Sequence, residues 1–339
     1  MENTINDVQS KVENNVVEEV KVSESSKKNE PKKKKSISYA KWGIIFILPF
    51  FIAYLLFTLY PQILTIIYSF NEYRKSGVGV TYIGPNFIGF SNYEALFTVN
   101  ESGNIMILQC LWNTIIMWVM GAVVQLVFSL LLALFFTSTR LNIKGAGFFK
   151  SVFYMPNLIM ASAFAFLFFA IFDNSAAGPV NQIIKALGWT TDGIDFITTY
   201  PWSTRGLVAF MNFLMWFGNT TILLMAGIMG IDESLFESAR LDGASSTRVF
   251  TDITLPLLKP ILVYVAITSM IGGLQMYDVP AVLTKGYGSP NNKTKTLVML
   301  LNDYLSVGNY GMSGAVAVIL FVITGIFSII VFRSINRKN

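Results

Sequence analysis

Residues 237–260, ESARLDGASSTRVFTDITLPLLKP, are a polar interval set between two long apolar runs at 207–229 and 261–283. Ser234 and Glu237 have the spacing of a capping box, so a helix is expected to start near Ser234. Leu235, Phe236 and Ala239 give that helix one apolar side. Gly243 can end it, because glycine adopts the left-handed backbone at a helix C-terminus without a Cβ penalty. Ser245 or Ser246 can cap a second short helix, with Val249, Phe250 and Ile253 falling on one face. Pro256 is expected to stop that helix and Pro260 to open the next apolar segment. A hinged, amphipathic pair of helices tied at both ends to bilayer segments has the form of a handle for a soluble partner.

Working outward, the 339 residues are 53% hydrophobic and only 13% charged, the composition of a membrane protein. Apolar runs long enough to cross a ~30 Å hydrocarbon layer stand at 42–70, 107–136, 151–172, 207–229, 261–283 and 314–332, predicting six transmembrane helices. Solid apolar blocks, rather than short alternating segments, exclude a β-barrel. The single cysteine, Cys110, excludes a disulfide framework and a cysteine metal site. The absence of histidine removes the commonest metal ligand and neutral-pH base, which argues against an intramembrane metalloprotease. With the N-terminus placed inside, 18 of the 25 Lys and Arg fall in inner segments. That bias puts both termini and the 230–259 loop in the cytoplasm.

Residues 1–40 are polar and end in Lys32-Lys33-Lys34-Lys35, so they are expected to be a disordered tail ahead of a membrane domain at 41–339. The lysines suit either a topology anchor or anionic lipid head groups, and the acidic stretch before them does not suit a cleavable signal peptide. Pro49 and Pro61 are expected to kink the first span. Asn113, near the start of the second, suits an interhelical hydrogen bond or a ligand contact. In the fourth span Asn212, Trp216 and Asn219 stand at i, i+4 and i+7 and share a face. Polar side chains are expensive in lipid, so that face should look into the bundle or a wet cavity. A ring flanked by amides is also how proteins hold sugars, and interhelical hydrogen bonding is the competing reading. In the fifth span Gly272 and Gly273 precede Gln275, Tyr277 and Asp278, which fall in the outer half of the membrane at ~1.5 Å per residue. Asp278 could be hydrated, paired with Lys285, or a ligand contact.

These stretches also resemble a known family. Glu237-Ser238-Ala239, Gly243 and Ile253-Thr254-Leu255-Pro256 look like the Glu-Ala-Ala…Gly…Ile-x-Leu-Pro loop of binding-protein-dependent ABC transporter permeases, with Ser238 in place of the first Ala. Tyr277-Asp278 through Leu283-Thr284 and Pro290 is similar to a signature of that family's carbohydrate branch. Tyr60-Pro61, residues 87–93 (FIGFSNY) and Trp112-Asn113-Thr114 also resemble that branch, and the family places a proline where Met155-Pro156 stands. The sequence departs from it in lacking a Trp in the third span, where 164–169 is FAFLFF, and in carrying Ala281 for Tyr.

The resemblance implies an all-α type I ABC importer permease of the maltose or multiple-sugar kind, in a bacterial plasma membrane. It implies that Glu237, Ser238, Ala239, Asp242, Gly243, Ile253, Leu255 and Pro256 couple the chain to an ATPase. The substrate path is expected along Asn212, Trp216, Asn219, Gln275, Tyr277 and Asp278. Implied partners are a second homologous permease, two cytoplasmic ABC ATPase subunits, an extracytoplasmic solute-binding protein and membrane lipid, with no nucleic acid. The chain has no Gly-x-x-x-x-Gly-Lys-Ser/Thr phosphate loop, so ATP and Mg are expected on the ATPase partner and no cofactor on this chain. The alternatives are the same architecture for a polyol phosphate or a nucleoside, or a six-span channel. Mid-membrane Lys and Arg are absent from the fourth and fifth spans, which disfavours a phosphate dianion. No charge-ringed pore loop supports a channel.

Overall fold

Length and apolar composition single out five helical stretches of the computed structural model as able to cross a bilayer: Lys41–Ser69, Met106–Thr137, Pro201–Met229, Ser246–Leu283 and Tyr310–Arg333. The structure describes residues 40–77, 81–100, 103–138, 145–175, 178–190 and 192–336, so the tail expected at 1–40 lies outside them except for Ala40. It divides into two units, Met1–Leu59 and Tyr60–Asn339. In the first, α1 (Ala40–Tyr54) carries Pro49 inside it and is followed by a wider π turn, Leu55–Leu59. Large apolar side chains are exposed on every side of both segments, as in a helix whose solvent is lipid.

The second unit runs α2 (Tyr60–Ser69), β1 (Asn71–Ser76), β2 (Thr81–Phe87), α3 (Ser91–Leu96), α4 (Met106–Thr137), α5 (Ala146–Tyr154), α6 (Ala161–Ile171), α7 (Pro179–Ala186) and α8 (Pro201–Met229). It continues with α9 (Glu233–Leu241), α10 (Ser246–Val249), α11 (Leu255–Leu274), α12 (Asp278–Leu283), α13 (Leu297–Ser306) and α14 (Tyr310–Asn336). The unit is mostly helical, as expected, with one addition: β1 and β2 pair antiparallel in the connection after α2. Gly84 makes the pairing possible: it takes φ +85, and a Cβ there would sit 1.8 Å from the Glu72 carbonyl oxygen.

α4 and α8 pack along one another at the centre of this unit. Small residues let backbones approach, as helices in lipid require: a Cβ on Gly121 would lie 2.9 Å from the Ala209 carbonyl oxygen, and one on Gly218 2.0 Å from that of Phe153 in α5. Hydrogen bonds join the pair, from Gln125 Nε2 to Thr220 Oγ1 (2.7 Å) and from Ser129 Oγ to the Phe217 carbonyl (2.9 Å). At the other end of α4, Asn113 is buried and fully engaged. Its amide donates to the carbonyls of Asn292 (2.8 Å) and Lys295 (3.1 Å), while its Oδ1 accepts from Arg205 Nη2 (2.7 Å). Of the two readings of Asn113, the structure bears out tertiary hydrogen bonding, directed to a connecting loop and to α8.

The structure differs from the expected helix limits at two prolines. The run 151–172 was expected as one span, but Ala146–Leu158 and Ala161–Ile171 meet at 92°. Pro156 cannot donate to the α ladder, the chain tightens into a 3₁₀ turn at Met155–Leu158, and Ile159 is extended. Asn157 Nδ2 holds the break by donating to the Met215 carbonyl at 3.1 Å. Pro256, by contrast, does not stop its helix. A π turn at Phe250–Thr254 precedes it, and the wider turn makes room for the proline ring, so the helical path continues into α11 with Pro260 inside it.

Candidate functional site

A cavity of about 320 Å³ opens among α4, α8 and α11. Its α8 wall carries Asn212, Trp216 and Asn219, the three residues that the i, i+4, i+7 spacing placed on one face. Opposite stand Trp118 and Gln125 of α4, and Tyr264, Thr268 and Ser269 of α11. Two of the three amides are held before any ligand arrives: Gln125 is bonded to Thr220, and Asn212 Nδ2 donates to the Val208 carbonyl (2.9 Å) and lies 3.5 Å from Met276 Sδ. Gly273 thins the α11 wall. A Cβ there would fall 2.1 Å from Trp118 Cδ1, so glycine lets the indole lie against the helix, where its Nε1 donates to Ser269 Oγ at 3.3 Å. Trp216, 48% exposed, leaves much of its ring open. Among the described residues, the lining holds amides, hydroxyls, aromatics, aliphatics and thioethers, and no Asp, Glu, Lys or Arg.

Gln275, Tyr277 and Asp278 do not line this cavity. α11 ends at Leu274, where Gln275 N–H closes on the Ile271 carbonyl (3.1 Å), and residues 275–277 lead into α12. Tyr277 Oη accepts from Asn302 Nδ2 at 2.8 Å, and Asp278 sits in the first turn of α12, where a carboxylate suits the helix dipole. The pairing of Asp278 with Lys285 is absent among the described residues; the Lys285 ammonium lies 4.8 Å above the Phe169 ring.

The loop between α8 and α11 is built as two caps and a hinge. Asp232, not Ser234, caps α9, accepting from Ser234 N–H at 2.9 Å, and this bond holds its carboxyl below the usual carboxylate range. Asp232 was hidden by the more obvious serine–glutamate spacing. At the far end Gly243 takes φ +73; its N–H reaches the Arg240 carbonyl (3.1 Å) and the Ala244 N–H reaches that of Ala239 (2.9 Å). That pattern is a Schellman ending. Ser245 then caps α10 by accepting from Arg248 N–H at 3.3 Å. Ala239 is buried, whereas Glu237, Ser238, Asp242, Gly243 and Pro256 are exposed, Ile253 and Leu255 are half-buried, and Leu241 is 89% exposed. Phe236, Arg240, Val249 and Phe250 line a second cavity of about 390 Å³ against Leu134, Thr137 and Ile228 at the ends of α4 and α8.

Residues 125–339 match the family described as the binding-protein-dependent transport system inner membrane component. The chain belongs to this family. The arabinooligosaccharides transport system permease protein AraP of Bacillus subtilis (strain 168) is 30% identical over 292 residues, 84% of this chain and 86% of its own. The multiple sugar-binding transport system permease protein MsmF of Streptococcus mutans serotype c (strain ATCC 700610 / UA159) is 30% identical, covering 85% of this chain and 93% of its own. In structure, a chain of a bacterial ABC transporter involved in the import of the acidic polysaccharide alginate superposes with a TM-score of 0.72 at 22% identity, over 88% of this chain and 97% of that one. This family member is thus a multi-pass membrane protein with an importer permease fold, and its relatives are transport permeases.

Sequence reasoning missed the α4 wall of the cavity and part of the α11 wall. The signal was present: Trp118 and Gln125 are seven residues apart in a helix, as Tyr264 and Thr268 are four apart, so each pair shares a face. These residues were passed over because each alone, inside a long apolar run, reads as packing.

Proposed function

We propose that this family member is one of two homologous permease subunits of an ATP-driven importer in a bacterial plasma membrane, and that the cavity among α4, α8 and α11 forms its path for a neutral sugar. The observation that carries this reading is the lining: Trp118 and Trp216 beside amides and hydroxyls, without an ionised side chain among the described residues. Sugar rings offer apolar faces to indoles and hydroxyls to amides. A phosphate or carboxylate cargo would lack a partner in low dielectric. The names of the relatives, arabinooligosaccharides and multiple sugars among them, favour an oligosaccharide.

In this reading the bent Ala146–Ile171 region counts as one crossing, giving six, and both termini are cytoplasmic. Residues 230–259 dock into one of two ATPase subunits, which hold the ATP and Mg. Glu237, Ser238 and Asp242 present the polar surface, Ala239 and Gly243 set the hinge, and Ile253, Leu255 and Pro256 join it to α11. A solute-binding protein delivers the sugar outside. ATP binding moves the docked loops and opens the cavity outward; hydrolysis resets it. Residues 1–40 serve as a topology anchor.

The test is uptake in cells lacking this subunit, compared across labelled neutral and uronic-acid oligosaccharides, with and without the gene restored. Restoration of neutral oligosaccharide uptake is the expected result. Restoration of acidic sugars alone would overturn the neutral assignment, and restoration of none would overturn the sugar.

A further inference from the structure

Helix α7 turns an apolar face away from the rest of its unit. Pro179, Ile183, Ala186 and Leu187 stand at i, i+4, i+7 and i+8, share one side, and are all exposed, Ile183 to 61% and Leu187 to 58%. The other side is pinned. Asn181 is buried, donates from Nδ2 to the carbonyls of Asp173 (2.9 Å) and Ile194 (3.1 Å), and accepts from Ile194 N–H (2.8 Å). The helix is therefore held with its apolar face outward. Gly188, at φ +73, ends it: Trp189 N–H reaches the Ile184 carbonyl (3.2 Å) and Gly188 N–H that of Lys185 (2.9 Å). Trp189 follows the apolar stripe directly and is 76% exposed.

The same connection leads to α8, whose start carries two further exposed aromatics, Tyr200 and Trp202. Arg205 lies 5.0 Å from the Trp202 ring and is itself held by Asn113 and the Lys293 carbonyl. The first turn of a membrane-crossing helix marks the level where hydrocarbon meets head groups, and Trp and Tyr settle there because they have an apolar body and a polar tip.

We infer that α7 is an interfacial helix whose apolar face lies in the head-group boundary of the leaflet at the α8 N-terminus, with Trp189 and Trp202 in the same aromatic belt. A phospholipid surface fits this face better than a soluble protein. The stripe offers no acidic or basic side chain for a protein to match, since Lys185 is half-buried off the stripe. Its neighbour in the chain is a membrane-crossing helix, so lipid is present at its level. Through Asn181 the seated helix also sets the height of the segments at Asp173 and Ile194. The inference requires that α8 span the bilayer and is independent of cargo and orientation.

The test places a nitroxide at Leu187→Cys and, separately, at Ile183→Cys in the full chain assembled with its partner subunits in phosphatidylethanolamine–phosphatidylglycerol nanodiscs. Native Cys110 is buried. Oxygen, which concentrates in lipid, and a nickel chelate, which stays in water, both relax the label. At both positions the ratio of oxygen to nickel collisions should be several-fold higher than at Tyr287→Cys on the 284–296 connection. A nickel-dominated signal would put the face in water and overturn the inference. Low rates for both reagents would put it under protein and overturn it as well, as would a fall in oxygen collisions on adding a solute-binding protein.

Discussion

The glycine at the end of α9 allows a graded test of the proposed coupling role of the loop at 230–259. Gly243 holds φ +73, and a Cβ built on it meets no atom within 4 Å, so a substitution there is opposed by backbone conformation and not by crowding. The left-handed conformation costs an ordinary residue about 1–2 kcal/mol, and Asn least of the non-glycine residues. Gly243→Val should therefore lower the population of the intact hinge roughly 5- to 30-fold, whereas Gly243→Asn should stay near wild type. Gly243→Pro is worse on two counts: its φ is locked near −65°, and it loses the N–H bond to the Arg240 carbonyl, a further ~1 kcal/mol. Gly243 is exposed and outside the apolar clusters, so insertion of the chain should be unchanged in all three. The assay is oligosaccharide uptake by proteoliposomes, read beside the amount of ATPase subunit that co-purifies. Uptake should fall in the order Gly, Asn, Val, Pro and reach background for Pro. A transporting Pro variant with its ATPase still bound, or an Asn variant as impaired as Val, would refute the hinge argument.

Other substitutions separate path, packing and acid response. Trp216→Ala should reduce sugar-stimulated ATP turnover and leave assembly intact, because the ring is half open to the cavity; equal loss of assembly would mark it as packing. Gly218→Ala drives a methyl toward the Phe153 carbonyl oxygen, 2.0 Å from the ideal Cβ position, and should cost about 1–3 kcal/mol as α5 is pushed off α8. An unchanged thermal midpoint in detergent would show that this approach is not tight. Burial raises the Asp195 carboxyl, but hydrogen bonds from Thr198, Ile197 and Asn174 outweigh it and leave it below the usual range. Its contribution is therefore present above the unfolded value of about 3.9 and lost as pH falls through the folded one. The gap in thermal midpoint between wild type and Asp195→Asn should shrink from about pH 6 to pH 3, and a gap independent of pH would refute the assignment.

The two proline sites show how far local rules carry. Pro156 and Pro256 both lack an N–H and both sit in apolar surroundings. One marks a 92° break, fixed by Asn157 reaching across to α8, while the other is absorbed by a π turn. No local rule distinguishes them, because the outcome depends on whether a neighbouring helix supplies a partner at the break. The hairpin escaped notice for a related reason: its strands are short and partly polar, and its register rests on Gly84 fitting against the Glu72 backbone.

The amino-acid order alone was enough for the solvent of this protein, since unbroken apolar runs have no stable place in water. It also marked the hinge at Gly243, where a backbone preference is a property of one residue. What required tertiary structure was convergence. Asn212, Trp216 and Asn219 share a face by helical periodicity, but only the packing of α4 and α11 against α8 brings Trp118, Gln125 and Tyr264 to the same cavity and leaves Gln275, Tyr277 and Asp278 out of its lining. Helical periodicity acts within one element, whereas a cavity wall is shared among several, and their approach is set by where small residues let backbones meet.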